Sequence, residues 1–379
     1  MGFGGKMRRR ELLAGAAAAL VAGRNEAAAA SAAPWSSGTE RPRLKAPPGT
    51  TDCHHYIYDD RYPAVSDRIK RPADARPGDY RALMRRLGIA RQVLIQPSAY
   101  GADNRCLLDA LAVFGGDARA VAVVDARIAD DALSRLDRLG VRGIFFNFAP
   151  SNGATTAAMI EPLARRIAPL GWHVEINVWA ADLPPLLPVL RRLPTPVVLD
   201  RFGHVPEPEG PDHPLFAQIR RLIDSGNTWV KLVAPYDASK MGPPHYPDSG
   251  ALARAYIDTA PERLVWGTNW PHPGEETKPD DAAMFDLLAD WAPEAATRNR
   301  ILVKTPRSCT DFRKAPECPK PAAASLAIRS SKKRLLRAHS RSGEFLVTEG
   351  EGTFGVAGKD CPSRPTPTVR RARRERSVG

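Results

Sequence analysis

The chain has 379 residues, 43% of them hydrophobic and 26% charged, and a formal net charge of +13. That composition excludes a wholly disordered chain, a collagen and a multi-span membrane protein, and the length allows a large core. The charge is uneven: residues 1–50 carry +5, residues 304–379 carry +11, and residues 51–303 carry −3. The pI near 9.8 therefore belongs to the ends and does not mark the middle as a nucleic-acid surface.

Arg8, Arg9 and Arg10 precede an alanine-rich apolar run from Ala14 to Gly23, and Ala30, Ala32 and Ala33 follow. Basic, apolar and small-residue regions in that order predict a twin-arginine-type export signal over 1–33 and a periplasmic or secreted protein. The apolar run is too short to span a bilayer. Pro34, Pro42, Pro47, Pro48 and Gly49 predict a linker over 34–50.

Short runs rich in β-branched residues then recur at 51–58, 91–100, 118–126, 141–149, 173–179, 196–203, 228–235 and 263–271. Helical patterns separate them at 79–87, 104–114, 130–139, 156–170, 181–193, 214–225, 249–259 and 280–289, and a last one covers 293–303. Strands alternating with helices pair in parallel, and eight such units predict an α/β fold, a (β/α)8 TIM barrel over 51–303. A doubly wound sheet lacks support, because no Gly-rich phosphate loop follows the first strand.

Residues 304–379 are rich in Arg, Pro and Ser without periodicity and hold Cys309, Cys318 and Cys361 at spacings that match no zinc pattern. They predict a basic low-complexity tail, either an anion or nucleic-acid binder or the product of a shifted reading frame. Codons chosen for Lys304 to Lys314, read one base earlier, give Glu-Asp-Pro-Ala-Glu-Leu-Tyr-Gly-Phe-Pro-Glu, and a frameshift is the favoured expectation.

Side chains alternate faces along a strand. His54 with Tyr56, Gln96 with Ser98, Glu175 with Asn177, and then Arg201, Lys231 and Asn269 share one parity near the strand ends. Trp172, Val174, Ile176 and Val178 take the other. Active sites of this fold lie at the C-terminal strand ends, so the polar set is expected to line a cavity. By the same parity Asp52 faces inward beside Lys231, whereas His55, Cys53 and Asp200 face away. Cys53 reads as a buried small residue, not a nucleophile.

Asp52-Cys53-His54-His55-Tyr56, Gln96-Pro97-Ser98, Val141-Arg142-Gly143-Ile144, Trp229-Val230-Lys231-Leu232, Gly267-Thr268-Asn269-Trp270-Pro271-His272 and Arg300-Ile301-Leu302-Val303 together resemble the amidohydrolase superfamily. Within it they are similar to the amidohydrolase-2 branch, which contains 2-pyrone-4,6-dicarboxylate lactonase and sugar lactonases. The shifted frame after Val303 restores text like that branch's usual C-terminus. The resemblance implies a hydrolase. Its metal-gripping Asp-x-His-x-His is altered here at Tyr56, its Asp-His-x-Gly-Arg becomes Asp200-Arg201-Phe202-Gly203-His204, and its last-strand Asp is Asn269. An amide is no general base, so a metal-independent site without cofactor is expected, one divalent metal at His54 being the alternative. Phe145 and Asp237 stand where the branch often carries Arg, which points away from a dianionic substrate.

The expected reaction is water attack on a small lactone or ester. Lactone hydrolysis needs a base for the water and donors for the oxyanion. His54, Asn269, His204 and His272 are the catalytic candidates. Tyr56, Ser98, Arg142, Asn177, Arg201 and Lys231 are the substrate-binding candidates. A small molecule is the expected partner, with no nucleic acid and no membrane span. The competing readings are a barrel that binds a small acidic or neutral ligand without catalysis, a decarboxylase, which would normally need a metal, and a nucleic-acid binder acting through the tail.

Overall fold

Strands buried on both faces have to be covered on both faces. His173–Asn177, with sequence HVEIN, is buried at every position, and the helices between the strands supply the outer cover. In this computed structural model the described residues are 32–66, 72–149 and 153–309. The expected signal, up to residue 31, and the tail beyond 309 lie outside them.

The strands are β1 (Thr51–His55), β2 (Arg91–Ile95), β3 (Ala118–Ala122), β4 (Val141–Asn147), β5 (His173–Asn177), β6 (Val197–Leu199), β7 (Thr228–Leu232) and β8 (Leu264–Trp266). They form one sheet in chain order, each parallel to the next. The intervening helices are α1 (Pro77–Leu87), α2 (Arg105–Phe114), α3 (Asp130–Leu139), α4 (Ala157–Ile167), the one-turn α5 (Leu187–Leu190), α6 (Pro214–Asp224) and α7 (Pro247–Thr259). Helix α8 (Asp281–Trp291) and the short α9 (Ala295–Asn299) follow β8. The sheet curls until the chain after β8 meets β1, where Asn269 N donates to His54 O and Tyr56 N to Trp270 O, both at 2.8 Å. This is the TIM barrel that the alternation predicts.

The helices cover the barrel with one apolar stripe each. Helix α6 buries Leu215, Phe216, Ile219, Leu222 and Ile223, the 3.6-residue period of a half-covered helix. Helix α3 ends at Gly140, whose φ of 104° is reached without the Cβ clash that other residues meet.

Two boundaries differ from the expected ones. The segment 34–50 is not a free linker: the Trp270 indole donates to Pro34 O at 2.8 Å, Trp35 to Asp74 O at 3.0 Å, and Leu44 N to Asp286 Oδ1 at 2.7 Å. The buried Arg86 of α1 ties it down further, donating to Glu40 O and Ser37 O while it pairs with Asp280. Proline marked this stretch as irregular, and irregular chain can still pack. At the other end the fold continues past 303, through a wide turn (Arg300–Lys304) into α10 (Thr305–Cys309), with Thr305 buried.

Candidate active site

The barrel seam is held by a carboxylate. The register of β1 slips between Asp52 and His55, a bulge that breaks strict alternation. Asp52 consequently does not face Lys231. Its Oδ1 accepts from His54 N (2.9 Å) and Thr268 N (3.0 Å), and its Oδ2 from Thr268 Oγ1 (2.6 Å) and the Tyr80 hydroxyl (2.8 Å). Burial pushes its carboxyl up to about 6 against the pull of those donors. Cys53, expected to face outward, lines a small interior void of about 10 Å³ with Val93, His173, Glu175, Val198, Lys231 and Val265. His55 does point away: its ring stacks on Tyr80 at 3.7 Å, and burial lowers its pKa to about 3.

Above that void lies a wholly buried charged cluster. Lys231 Nζ donates to Glu175 Oε1 and to Cys53 O, each at 2.8 Å, and stands 3.4 Å from His54 Nδ1. His54 Nδ1 is 3.2 Å from Asp200 Oδ1, and its Nε2 is 2.7 Å from the Tyr56 hydroxyl. The arrangement assigns the proton: Nδ1–H donates to Asp200, and Nε2 accepts from Tyr56. Burial lowers the His54 pKa, with Asp200 opposing, so the ring is neutral. Burial alone would raise Asp200, but His54, Arg201 and Lys231 outweigh it and hold the carboxyl below its usual range. Parity placed Asp200 facing away. It faces His54 because β6 ends at Leu199 and the next residues form a turn in which alternation no longer applies. In that turn Arg201, Phe202 and His204 take φ of 48°, 55° and 49°, left-handed conformations that cluster at functional sites. Gly203 fits because any Cβ would come within 2.5 Å of Ile219.

Over the cluster opens a cavity of about 440 Å³, lined among others by Tyr56, Tyr58, Ser98, Asn147, Asn177, Trp179, Arg201, His204, Tyr236, Asp237, Asn269 and Glu275. That volume suits a small molecule. Tyr56 forms its floor above His54. Burial drives the phenol pKa well above its usual value, so Tyr56 stays protonated. Arg201 Nη2 donates to Asn269 Oδ1 at 2.9 Å and reaches the Tyr56 hydroxyl at 3.4 Å, and Nη1 is paired with Asp237. Asn269 Nδ2 donates to the Tyr236 hydroxyl at 2.7 Å. Along the opposite wall runs a row of neutral groups. His204 Nε2 is 2.6 Å from Asn177 Oδ1, Asn177 Nδ2 donates to Asn147 Oδ1 (2.8 Å), and Asn147 Nδ2 donates to Ser98 Oγ (2.5 Å). Burial lowers the His204 pKa to about 4, so this ring is neutral too and donates through Nε2.

The structure thus brings Tyr56, Ser98, Asn177, Arg201, His204 and Asn269 to one cavity. His54 and Lys231 lie directly beneath it, and His54 reaches it through Tyr56. His272 stands behind the wall, with Nδ1 2.8 Å from the Tyr236 hydroxyl and Nε2 3.1 Å from Asp281 Oδ2. Arg142 does not reach the mouth. It is the second residue of β4, at the opposite end of the barrel, where its guanidinium donates to Asp137 and to the carbonyls of Asp137 and Val141. Asn147, the last residue of the same strand, holds the mouth position instead. Sequence reasoning missed Asn147, Trp179, Tyr236 and Asp237 as lining residues. Asn147 carried a signal, being the polar residue at the C-terminal end of its strand.

The atoms of His54, Glu175 and Asp200 lie within 4.8 Å of one another, as a metal would require, but the Lys231 ammonium stands among them. The second such group among the described residues, Asp59, Asp60 and Asp74, is bound by Arg61 and Arg76. No helix among the described residues is long and apolar enough to cross a membrane.

Comparison with known proteins agrees with this architecture. The amidohydrolase family profile matches residues 51–308. A 2-pyrone-4,6-dicarboxylate hydrolase of Comamonas testosteroni is 36% identical over 284 residues, covering 72% of this chain and 93% of its own. A D-galactarolactone isomerase of Agrobacterium fabrum is 35% identical over 277 residues, covering 72% of this chain and 94% of its own. A ligand-free crystal structure from Agrobacterium tumefaciens superposes with a TM-score of 0.66 at 33% identity, covering 73% of this chain and 99% of that one. The chain belongs to the amidohydrolase family and is a hydrolase.

Proposed function

We propose that this amidohydrolase opens a small lactone or ester by water attack, without a bound metal. The observation that carries the reading is the line of hydrogen bonds from the cavity floor inward: Tyr56 hydroxyl, His54, Asp200. A water on Tyr56 gives its proton to the phenol oxygen as the phenol proton passes to His54 Nε2. The hydroxide oxygen bonds to the lactone carbonyl carbon, and the C=O π pair moves to the carbonyl oxygen. When the tetrahedral intermediate collapses, the ring C–O bond breaks, and the leaving alkoxide recovers the proton from His54 through Tyr56. Asp200 holds the tautomer and stabilises the imidazolium while it exists, as in other His–Asp pairs.

Metal independence is supported by Lys231. Its ammonium is 2.8 Å from Glu175 and 3.4 Å from His54 Nδ1, so positive charge already occupies the donor set, and a divalent ion there would meet strong repulsion at low dielectric. Export through the Arg8–Arg10 leader is part of the same proposal, tested by fractionating cells that express the full gene.

Purified protein assayed against a panel of lactones and esters tests the activity. The expected products are open-chain hydroxy acids, formed at the same rate with and without chelator. An isomeric lactone as product would replace hydrolysis with isomerisation, in which a second hydroxyl of the substrate takes the place of water, gives its proton to the same relay and bonds to the carbonyl carbon as the original ring C–O bond breaks. Loss of activity on chelation, restored by metal, would overturn the metal-free mechanism.

A further inference from the structure

We infer that Asp237 sets the charge of the substrate: it occupies the Arg201 guanidinium that would otherwise take a carboxylate, and so selects lactones without an anion beside the reacting carbonyl. The inference rests on reading the cavity as the lactone site.

Among the described residues that line the cavity, Arg201 is the one Lys or Arg. A guanidinium offers a planar fork that suits a carboxylate, and here the fork is filled. Nη1 is paired with Asp237, Nη2 donates to Asn269 Oδ1 at 2.9 Å, and Nε lies 3.7 Å from Asp200 Oδ2. Asp237 and Glu275 bring two carboxylates to the same cavity. An incoming anion would therefore have to displace Asp237 from Arg201 and then sit beside it. A hydroxyl-bearing neutral substrate meets the opposite situation. The Asp237 side chain is 27% exposed, open to accept from a hydroxyl. The facing row Ser98, Asn147 and Asn177 supplies uncharged donors and acceptors. Asp237 is a specificity residue here: it makes no contact with Tyr56 or His54 that the proton path uses.

The test compares wild type with Asp237→Asn by calorimetric titration with pyridine-2,4-dicarboxylate, a flat unreactive dianion, and by hydrolysis of D-glucono-1,5-lactone. The variant is expected to bind the dianion about ten- to a hundredfold more tightly, the range that a charge-assisted hydrogen bond supplies. Its kcat/KM on the neutral lactone should fall about tenfold. Unchanged dianion affinity in a folded variant would overturn the inference; Asp237→Ser, read by the same titration, serves if the Asn variant does not fold. The titration needs no turnover. Tighter dianion binding in a variant whose parent hydrolyses no lactone would leave the charge assignment standing and remove the proposed activity. A parent that hydrolyses neutral lactones, with no gain in dianion affinity in the variant, would remove the charge assignment alone.

Discussion

His54 is held at both ring nitrogens, by Asp200 at 3.2 Å and by the Tyr56 hydroxyl at 2.7 Å, and only Tyr56 of the three lines the cavity. In the proposed mechanism the acid–base group therefore acts from behind a tyrosine, and the pair of bonds fixes one tautomer. His54→Gln should lower kcat by about 10³-fold, and Tyr56→Phe and Asp200→Asn by about 10²-fold or more. Steady-state kinetics on folded variants checks this, and a Tyr56→Phe enzyme with full kcat would remove the relay.

The acidic limb of the pH–rate profile should lie below pH 6.5. Burial lowers the His54 pKa and Asp200 opposes the shift, so the neutral, proton-accepting ring persists into mildly acid solution. In the residual activity of Asp200→Asn the limb should move further toward acid, because the group that raises the pKa is gone. A limb above pH 7 in wild type would contradict the assignment.

Stability on the acid side should depend on His55, which is stacked on Tyr80 and has its pKa lowered by burial to about 3. Between pH 6.5 and 3 the unfolded chain binds a proton at this residue that the folded chain refuses. Its contribution to stability is therefore lost as pH falls through that window. His55→Phe keeps the stack and removes the titration. Relative to wild type it should gain about 2 kcal/mol of stability between pH 7.5 and pH 5, measured by urea unfolding at the two pH values.

The β1–β8 seam should be sensitive to small changes. Asp52 accepts four hydrogen bonds there, and Asp52→Asn keeps an acceptor for the two backbone N–H groups but makes the Thr268 and Tyr80 hydroxyls reorient to accept from an amide, costing about 1–3 kcal/mol. A Cβ on Gly267 would come within 2.6 Å of His54 Cβ and 2.8 Å of His54 N. Gly267→Ala should therefore displace His54, lowering kcat by more than its loss of stability accounts for.

Trp179 is 49% exposed on the cavity rim and meets His204 edge to face at 4.9 Å. Trp179→Ala should raise KM about tenfold through lost aromatic contact with substrate, while kcat and the melting temperature stay close to wild type. A fall in kcat alone would place Trp179 in the chemistry.

The element pattern was legible because burial imposes it locally. A strand covered on both faces must be apolar, and a covering helix must carry one apolar stripe, so eight alternations are visible in the chain itself. Strand parity placed side chains reliably where the backbone stays regular. Period-two alternation correctly paired Glu175 with Asn177 along β5, which is a strand at both positions. It misplaced Asp52 and Cys53 at a bulge, and it misplaced Asp200 where a three-residue strand gives way to a left-handed turn.

The sequence by itself determined the ring of strands, the end of it where chemistry gathers, and most of the polar groups found there. Tertiary structure alone decided that Lys231 stands among His54, Glu175 and Asp200, and that Asp237 closes on Arg201. Those are contacts between residues up to 177 apart; they depend on strand register and loop path, which act across the barrel and leave no local periodicity to read.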